Sequence, residues 1–227
     1  MIPKKIHYCW FGENKLPRKA KKCIDSWRKY CPDYEIIEWN EENFDINTNE
    51  YTKMCYEQKK YAFLTDYIRL FVVAKYGGIY FDTDVEVIRS FDDMLNNSGF
   101  LGFENDFNIN TGLGFGAEKG NIIICKMLEE YDILLDGKHG VIGCPILNTK
   151  TLENLGLEKN GKMQVIDDVV VYPKDYFNPY DDSVGKLNVT KNSYSIHWFA
   201  KTWMSKRKVL RSILSKPLHR VLNEIRK

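Results

Sequence analysis

An α/β layered fold is what this sequence predicts, on three observations. Apolar runs of strand length alternate with segments of helical period along most of its 227 residues. The first run, Ile6 to Gly12, ends in glycine, as the first strand of many nucleotide-binding α/β units does. A third signal is Tyr76-Gly77-Gly78-Ile79-Tyr80-Phe81-Asp82-Thr83-Asp84, where two glycines join a long helical pattern to an apolar strand.

The elements follow in order. Pro17 to Tyr30 reads as a helix with Ala20, Ile24 and Trp27 on one face and lysines on the other. Tyr34 to Trp39 is a second strand after the Cys31-Pro32-Asp33 turn, and Asn40 to Glu50 is a polar loop or irregular helix. One helical period runs from Met54 to Lys75. Tyr61, Leu64, Ile68, Val72 and Lys75 form its stripe, with Thr65, Asp66 and Arg69 beside it. Ile79 to Ile88 alternates as a strand, and Phe100 to Phe103 and Ile109 to Gly116 are shorter ones. Glycines in the last of these leave room for a ligand or a backbone to come close. Asn121 to Leu135 and Ile146 to Leu155 read as helices, Gln164 to Tyr172 as a strong strand ended by Pro173, and Ser195 to Trp198 as a last short strand. Residues 1–203 make one domain on this reading. Residues 204–227 form a basic amphipathic helical tail: from Lys201 onward there are nine Lys or Arg against one Glu, with Leu and Ile at helical spacing around Pro217.

Composition narrows the classes. Hydrophobic residues at 44% supply a sizeable core, and a net charge of +2 gives no reason to expect a nucleic-acid partner. The six cysteines show neither CxxC nor metal-ligand spacing and read as reduced thiols. The start lacks the apolar run of a signal peptide, and no stretch approaches the roughly 18 apolar residues of a spanning helix. The expectation is a cytoplasmic protein, with the basic tail able to lie against an anionic membrane surface.

Asp82 and Asp84 carry the chemistry. On a strand, carboxylates two residues apart point to the same side. They repel unless a positive group lies between them, most often a hard divalent cation with oxygen ligands, which in turn holds a phosphate. Asp66 and Arg69, three apart on the preceding helix, share a face and are brought near by the short Gly-Gly turn. Their plain alternative is an i,i+3 surface ion pair. That of Trp10 is a core tryptophan, and that of His197 a structural histidine.

Ala62-Phe63-Leu64-Thr65-Asp66-Tyr67-Ile68-Arg69 followed by Tyr76-Gly77-Gly78-Ile79-Tyr80-Phe81-Asp82-Thr83-Asp84 resembles the A-x-x-S-D-x-x-R…Y-G-G-x-Y-x-D-x-D signature of family 32 glycosyltransferases with a DXD sugar-binding region. That family includes bacterial capsular and lipopolysaccharide sugar transferases and yeast initiating mannosyltransferases. The glucosyltransferase domains of large clostridial toxins are similar there. Pro3 to Gly12, Ser26-Trp27, Trp39-Asn40, His197-Trp198 and Thr202-Trp203 keep the family's order. Thr65 and Thr202 stand where Ser is usual, and Gly143-Cys144-Pro145 where Gly-Pro is usual.

The resemblance implies a GT-A fold, a retaining reaction, a UDP- or GDP-sugar donor and a Mn²⁺ or Mg²⁺ cofactor. It also implies a glycan or lipid-linked acceptor in surface polysaccharide synthesis. It assigns Asp84 to the metal directly and Asp82 to the metal through water or to the ribose. Asp66 goes to donor-sugar hydroxyls, Arg69 to the sugar and phosphate, and Trp10 to the base. His197 goes to the metal or diphosphate, Asn110 to the donor sugar, and Thr202 and Trp203 to a closing lid. Two other readings stay open: a haloacid-dehalogenase-like phosphatase, whose D-x-D-x-[TV] loop Asp82 to Val85 also fits, and a non-catalytic sugar-binding protein.

Overall fold

The computed structural model describes residues 1–201 together with residues 207, 211, 216 and 217. The expectations for Thr202, Trp203 and most of the tail concern residues outside these. Strand β1 (Lys5–Cys9) leads through α1 (Arg18–Tyr30) to β2 (Glu35–Trp39), which pairs parallel to β1. Helices α2 (Glu50–Glu57) and α3 (Tyr61–Tyr76) follow, then β3 (Gly78–Tyr80), β4 (Val85–Val87), β5 (Gly99–Gly102) and β6 (Phe115–Ala117). Next come α4 (Ile122–Glu129), α5 (Cys144–Asn154), β7 (Gln164–Ile166), β8 (Val169–Tyr172) and α6 (Lys174–Phe177). Last are β9 (Tyr180–Asp181), β10 (Lys186–Leu187) and β11 (Ser195–His197).

Seven strands form the central sheet in the order β2-β1-β3-β6-β5-β8-β7. The pairings β2-β1, β1-β3 and β5-β8 are parallel and the rest antiparallel, so the sheet is mixed. Alternate residues divide between two apolar clusters. Ile6, Tyr8, Ile79 and Phe100 enter one, and Cys9, Tyr80 and Leu101 the other, as the two-residue period of a sheet buried on both faces requires. Layered α/β architecture is thus as the sequence predicts.

Five elements differ from the sequence expectation. Asn121 to Leu135 is not one helix: α4 ends at Glu129, and Asp132–Leu134 is a separate 3-10 turn. The segment Met54 to Lys75 is not one helix: Lys59 takes a positive φ of 55°, and α3 restarts at Tyr61. Gln164 to Tyr172 is a tight hairpin turning at Asp167 (φ 51°). The glycine-rich stretch after Ile109 folds as a 3-10 turn at Thr111–Leu113 before β6. Most consequentially, Ile79 to Ile88 is two strands in two different sheets. β3 belongs to the central sheet and β4 pairs antiparallel with β11. Between them Val85 N–H donates to Asp82 O at 3.0 Å, closing a turn around the two aspartates.

Long-range contacts hold this turn in place. Trp27, fully buried, donates from Nε1 to Val85 O at 2.8 Å, and Val87 N–H donates to Ser26 Oγ at 2.9 Å. The Ser26-Trp27 pair of α1 therefore satisfies the edge of β4 that β11 leaves free. On the other side of the turn, buried His7 contacts Gly77 O through Nε2 at 2.8 Å. It accepts at Nδ1 from Trp39 Nε1 at 3.1 Å. Both ring nitrogens are engaged by a neutral imidazole, and burial lowers its pKa. His7 has no role on the sequence reading; here it fixes the end of α3 and the start of β3.

Candidate active site

The site is built at the carboxyl ends of β1 and β3, where open α/β sheets bind ligands. These strands are parallel neighbours, and Phe81 N–H donates to His7 O at 3.0 Å. Trp10 and Asp82, each just beyond its strand, therefore lie at the same edge of the sheet. Trp10 is half-buried and donates from Nε1 to Asn14 O at 2.5 Å.

α3 brings Asp66 and Arg69 to that edge. They are not a surface pair: their side chains are 11% and 3% exposed, and Arg69 Nη2 lies 3.0 Å from Asp66 Oδ1. The same nitrogen lies 2.9 Å from Asp82 Oδ1. Arg69 Nε donates to Thr65 O at 3.2 Å, and its guanidinium sits 5.0 Å above the Tyr80 ring. Asp66 Oδ2 accepts from Cys144 N–H at 3.1 Å, which places the carboxylate against the first turn of α5. Burial raises the Asp66 pKa against the opposing pull of Arg69. The Arg69 pKa is raised: burial works against its charge, but Asp82 and Asp66 outweigh it.

Asp82 also accepts from Tyr80 O–H at 3.1 Å. Burial pushes its pKa up to about 6, opposed by Arg69 and reinforced by Asp84. Asp84 differs. Burial works to raise its pKa, but His197 and the Ala200 amide outweigh that and hold it at about 2. Ala200 N–H donates to Asp84 Oδ2 at 2.6 Å, and His197 Nε2 is 3.2 Å from Asp84 Oδ1. Pairing of β11 with β4 puts His197 opposite Val85, next to Asp84. The His197 pKa is raised: burial opposes its charge, but Asp84 prevails.

Asp82, Asp84 and His197 each offer a ligand atom, all within 4.8 Å of one another. His197 Nδ1 is buried without a hydrogen-bond partner among the described residues. Two carboxylates and an imidazole are a donor set that fits a divalent cation such as Mn²⁺. Asn110 caps the 3-10 turn: its Oδ1 accepts from Gly112 N–H at 2.7 Å and lies 3.4 Å from Cys144 Sγ. Gly112 packs so closely on the site that a Cβ there would lie 2.5 Å from Asp82 Oδ2. Thus Arg69 contacts both Asp66 and Asp82, Asp84 contacts His197 with its ligand atom within 4.8 Å of that of Asp82, and Asn110 reaches the group through Gly112 and Cys144. Cys144 and Gly112 join them, and only the glycine-rich spacing hinted at the second.

Residues 17–101 match the family model described as "Glycosyltransferase sugar-binding region containing DXD motif". The chain is 34% identical over 183 residues to mannosyl phosphorylinositol ceramide synthase SUR1 of Saccharomyces cerevisiae, covering 73% of this chain and 46% of that protein. It is 30% identical over 136 residues to inositol phosphoceramide mannosyltransferase 3 of Schizosaccharomyces pombe, covering 56% of this chain and 36% of that protein. It therefore spans less than half the length of these curated relatives. Among solved structures, the PaToxG glycosyltransferase superposes with a TM-score of 0.55 at 21% identity, over 67% of this chain and 69% of that one, and so shares the fold. The motif, its geometry and these matches agree: residues 17–101 are similar to the family of glycosyltransferase sugar-binding regions that contain a DXD motif.

Proposed function

We propose that this chain is a retaining, divalent-cation-dependent glycosyltransferase using a UDP- or GDP-sugar donor. The observation that supports it most is the Asp82, Asp84 and His197 cluster, with ligand atoms within 4.8 Å, backed by Arg69. Asp84 and His197 would hold the cation, with Asp82 beside it or on the donor ribose. A bound Mn²⁺ or Mg²⁺ supplies neutralisation of the charge that grows on the diphosphate as the glycosidic bond breaks. Trp10 offers a ring face to the base. Asp66 and Asn110 face donor-sugar hydroxyls with the lone pairs their neighbours leave. Arg69 is enclosed by Thr65, Asp66 and Asp82, so it acts through the two carboxylates as a positioning residue. Thr202 and Trp203 would close over the donor.

The phosphatase reading fits less well. It gives no work to Asp66, Arg69 or His197, all of which converge on the aspartates. The acceptor is a glycan or a lipid-linked sugar. The names of the yeast relatives favour a lipid acceptor, and surface polysaccharide synthesis remains the biological setting of the proposal. Incubation with a panel of UDP- and GDP-sugars and Mn²⁺ tests the function. One donor is expected to turn over, and proton NMR is expected to show an α-linked product from an α-linked donor. An inverted anomer, or phosphate release from simple phosphomonoesters without sugar transfer, would overturn it.

No helix among the described residues is long and apolar enough to cross a membrane. We extend the proposal to the tail: residues 204–227 lie against anionic lipid from the cytoplasmic side. One basic residue is already used, since Lys216 Nζ lies 3.0 Å from Asp182 Oδ1 and 3.1 Å from Tyr180 O–H. The other basic residues would each contribute about 1 kcal/mol near such a surface. In a flotation assay at low salt the full chain is expected to rise with anionic vesicles and a chain ending at Ser205 to stay behind. Equal behaviour of the two sinks the membrane role.

A further inference from the structure

A second cleft, of about 760 Å³, opens between α6, the β9–β10 hairpin and the turn after β5. That size suits one or two sugar rings. It is not the donor site, because neither aspartate of the DXD turn lines it, yet it adjoins that site at two points. Glu104 lines the cleft, and its Oε1 accepts from Asn110 Nδ2 at 3.3 Å. Phe199 lines it too, with its ring 4.1 Å from the imidazole of His197.

Glu104 and Asn178 are polar groups in its wall with hydrogen-bonding capacity to spare. Glu104 Oε2 has no partner among the described residues, whereas Asp182 is held by Lys201 and Lys216 and Asp175 by Thr190 and Asn192. Asn178 is 8% exposed. Its Nδ2 donates to Glu104 O at 2.9 Å, and its Oδ1 is buried without a partner among the described residues. A buried amide oxygen with no donor is costly, and an incoming hydroxyl relieves it. Tyr180 and Phe199 add ring faces of the kind sugars pack on. At the end nearest the metal cluster the wall carries the Glu104 carboxylate, which favours an O–H donor and repels a phosphate.

Resting on the transferase reading, we propose that this cleft is the acceptor subsite and that it takes a neutral ring polyol. Glu104 and Asn178 hold its hydroxyls beside His197. A terminal hexose and a cyclitol share that chemistry. A phosphate carried by the ring has to keep clear of Glu104; Lys174 and Lys186 also line the cleft.

Saturation-transfer NMR on the full chain loaded with UDP or GDP and Mn²⁺ tests this. The probes are methyl hexopyranosides, myo-inositol and myo-inositol 1-phosphate. A neutral hexoside or myo-inositol is expected to bind, and which of the two does so identifies the source. Glu104→Gln and Glu104→Ala are expected to weaken that binding by about tenfold. Thermal stabilisation of both variants by nucleoside diphosphate with Mn²⁺ reports whether the fold and the donor site are intact. The cleft assignment is overturned by unchanged probe binding in both variants, by binding of inositol phosphate alone, or by no binding of any neutral polyol. Loss of the Mn²⁺-dependent nucleotide response in the wild-type chain would instead overturn the transferase reading itself.

Discussion

Asp84→Ala is expected to abolish sugar transfer and to remove the Mn²⁺-dependent stabilisation that a nucleoside diphosphate gives the wild-type chain. Loss of one preorganised electrostatic partner at a site of developing charge costs about 10²–10³-fold in kcat, and loss of the cation costs more. Asp84 also has a structural part beside its proposed role as a ligand. It accepts the Ala200 amide, and its ion pair with His197 ties β11 to the turn after β3. Its folded pKa, about 2, lies below its unfolded value of 3.8. Its stabilising contribution is therefore present above the unfolded value and fades as pH falls through the folded one. At neutral pH, removing it costs about 1–3 kcal/mol, a drop in Tm of several degrees for a chain of this size. Asp84→Asn separates the two roles. The amide oxygen still accepts from Ala200, so Tm is expected to recover in part while turnover does not. Near-normal turnover in Asp84→Ala would remove Asp84 from the metal site. Equal turnover in Asp84→Asn and the wild type would show that its charge is not used.

Much of this site was legible in the sequence, because its residues are close along the chain. Asp66 and Arg69 are three apart on a helix whose stripe is plain, and the two glycines after it put the aspartates within reach. What the pattern concealed is that the aspartates sit in a turn. Phe81, Val85 and Val87 all enter the same apolar cluster, so alternation runs through the turn without a break. The chain changes sheets there only because Ser26, Trp27 and β11 supply partners from far along the sequence. His7, Trp39 and Gly77 are a further case of hydrogen bonding that no local period encodes. The breaks at Lys59 and Asp167 were hidden for another reason: both residues take left-handed backbone without a glycine to mark it. Cys144 was legible only as a departure from a motif. Its part became clear once the first turn of α5 was seen against Asp66.

Arg69→Lys and Asp66→Asn carry the second large effect, and burial sets its size. A surface ion pair would contribute at most about 1 kcal/mol, and its loss would leave activity intact. These two side chains are enclosed, so breaking the pair strands a buried charge at a cost of about 3–5 kcal/mol. Arg69→Lys keeps the charge but not the planar fork. One ammonium cannot reach Asp66, Asp82 and the Thr65 carbonyl together while stacking on Tyr80. Asp82 then loses its orientation toward Asp84, and a shift of about 1 Å in such a group costs on the order of 10²-fold in rate. Asp66→Asn is gentler on stability. The amide oxygen still takes the Cys144 N–H, and Arg69 keeps Asp82 as counter-charge. Its rate is nevertheless expected to fall by a similar factor, because the hydrogen-bond acceptor proposed for the donor sugar has lost its charge. Both effects are read as kcat per folded molecule, with the folded fraction set by circular dichroism well below Tm. Stability loss alone would lower Tm and leave that quantity unchanged. Wild-type kcat per folded molecule in both variants would make the pair a structural strut and move the donor sugar elsewhere along the sheet edge.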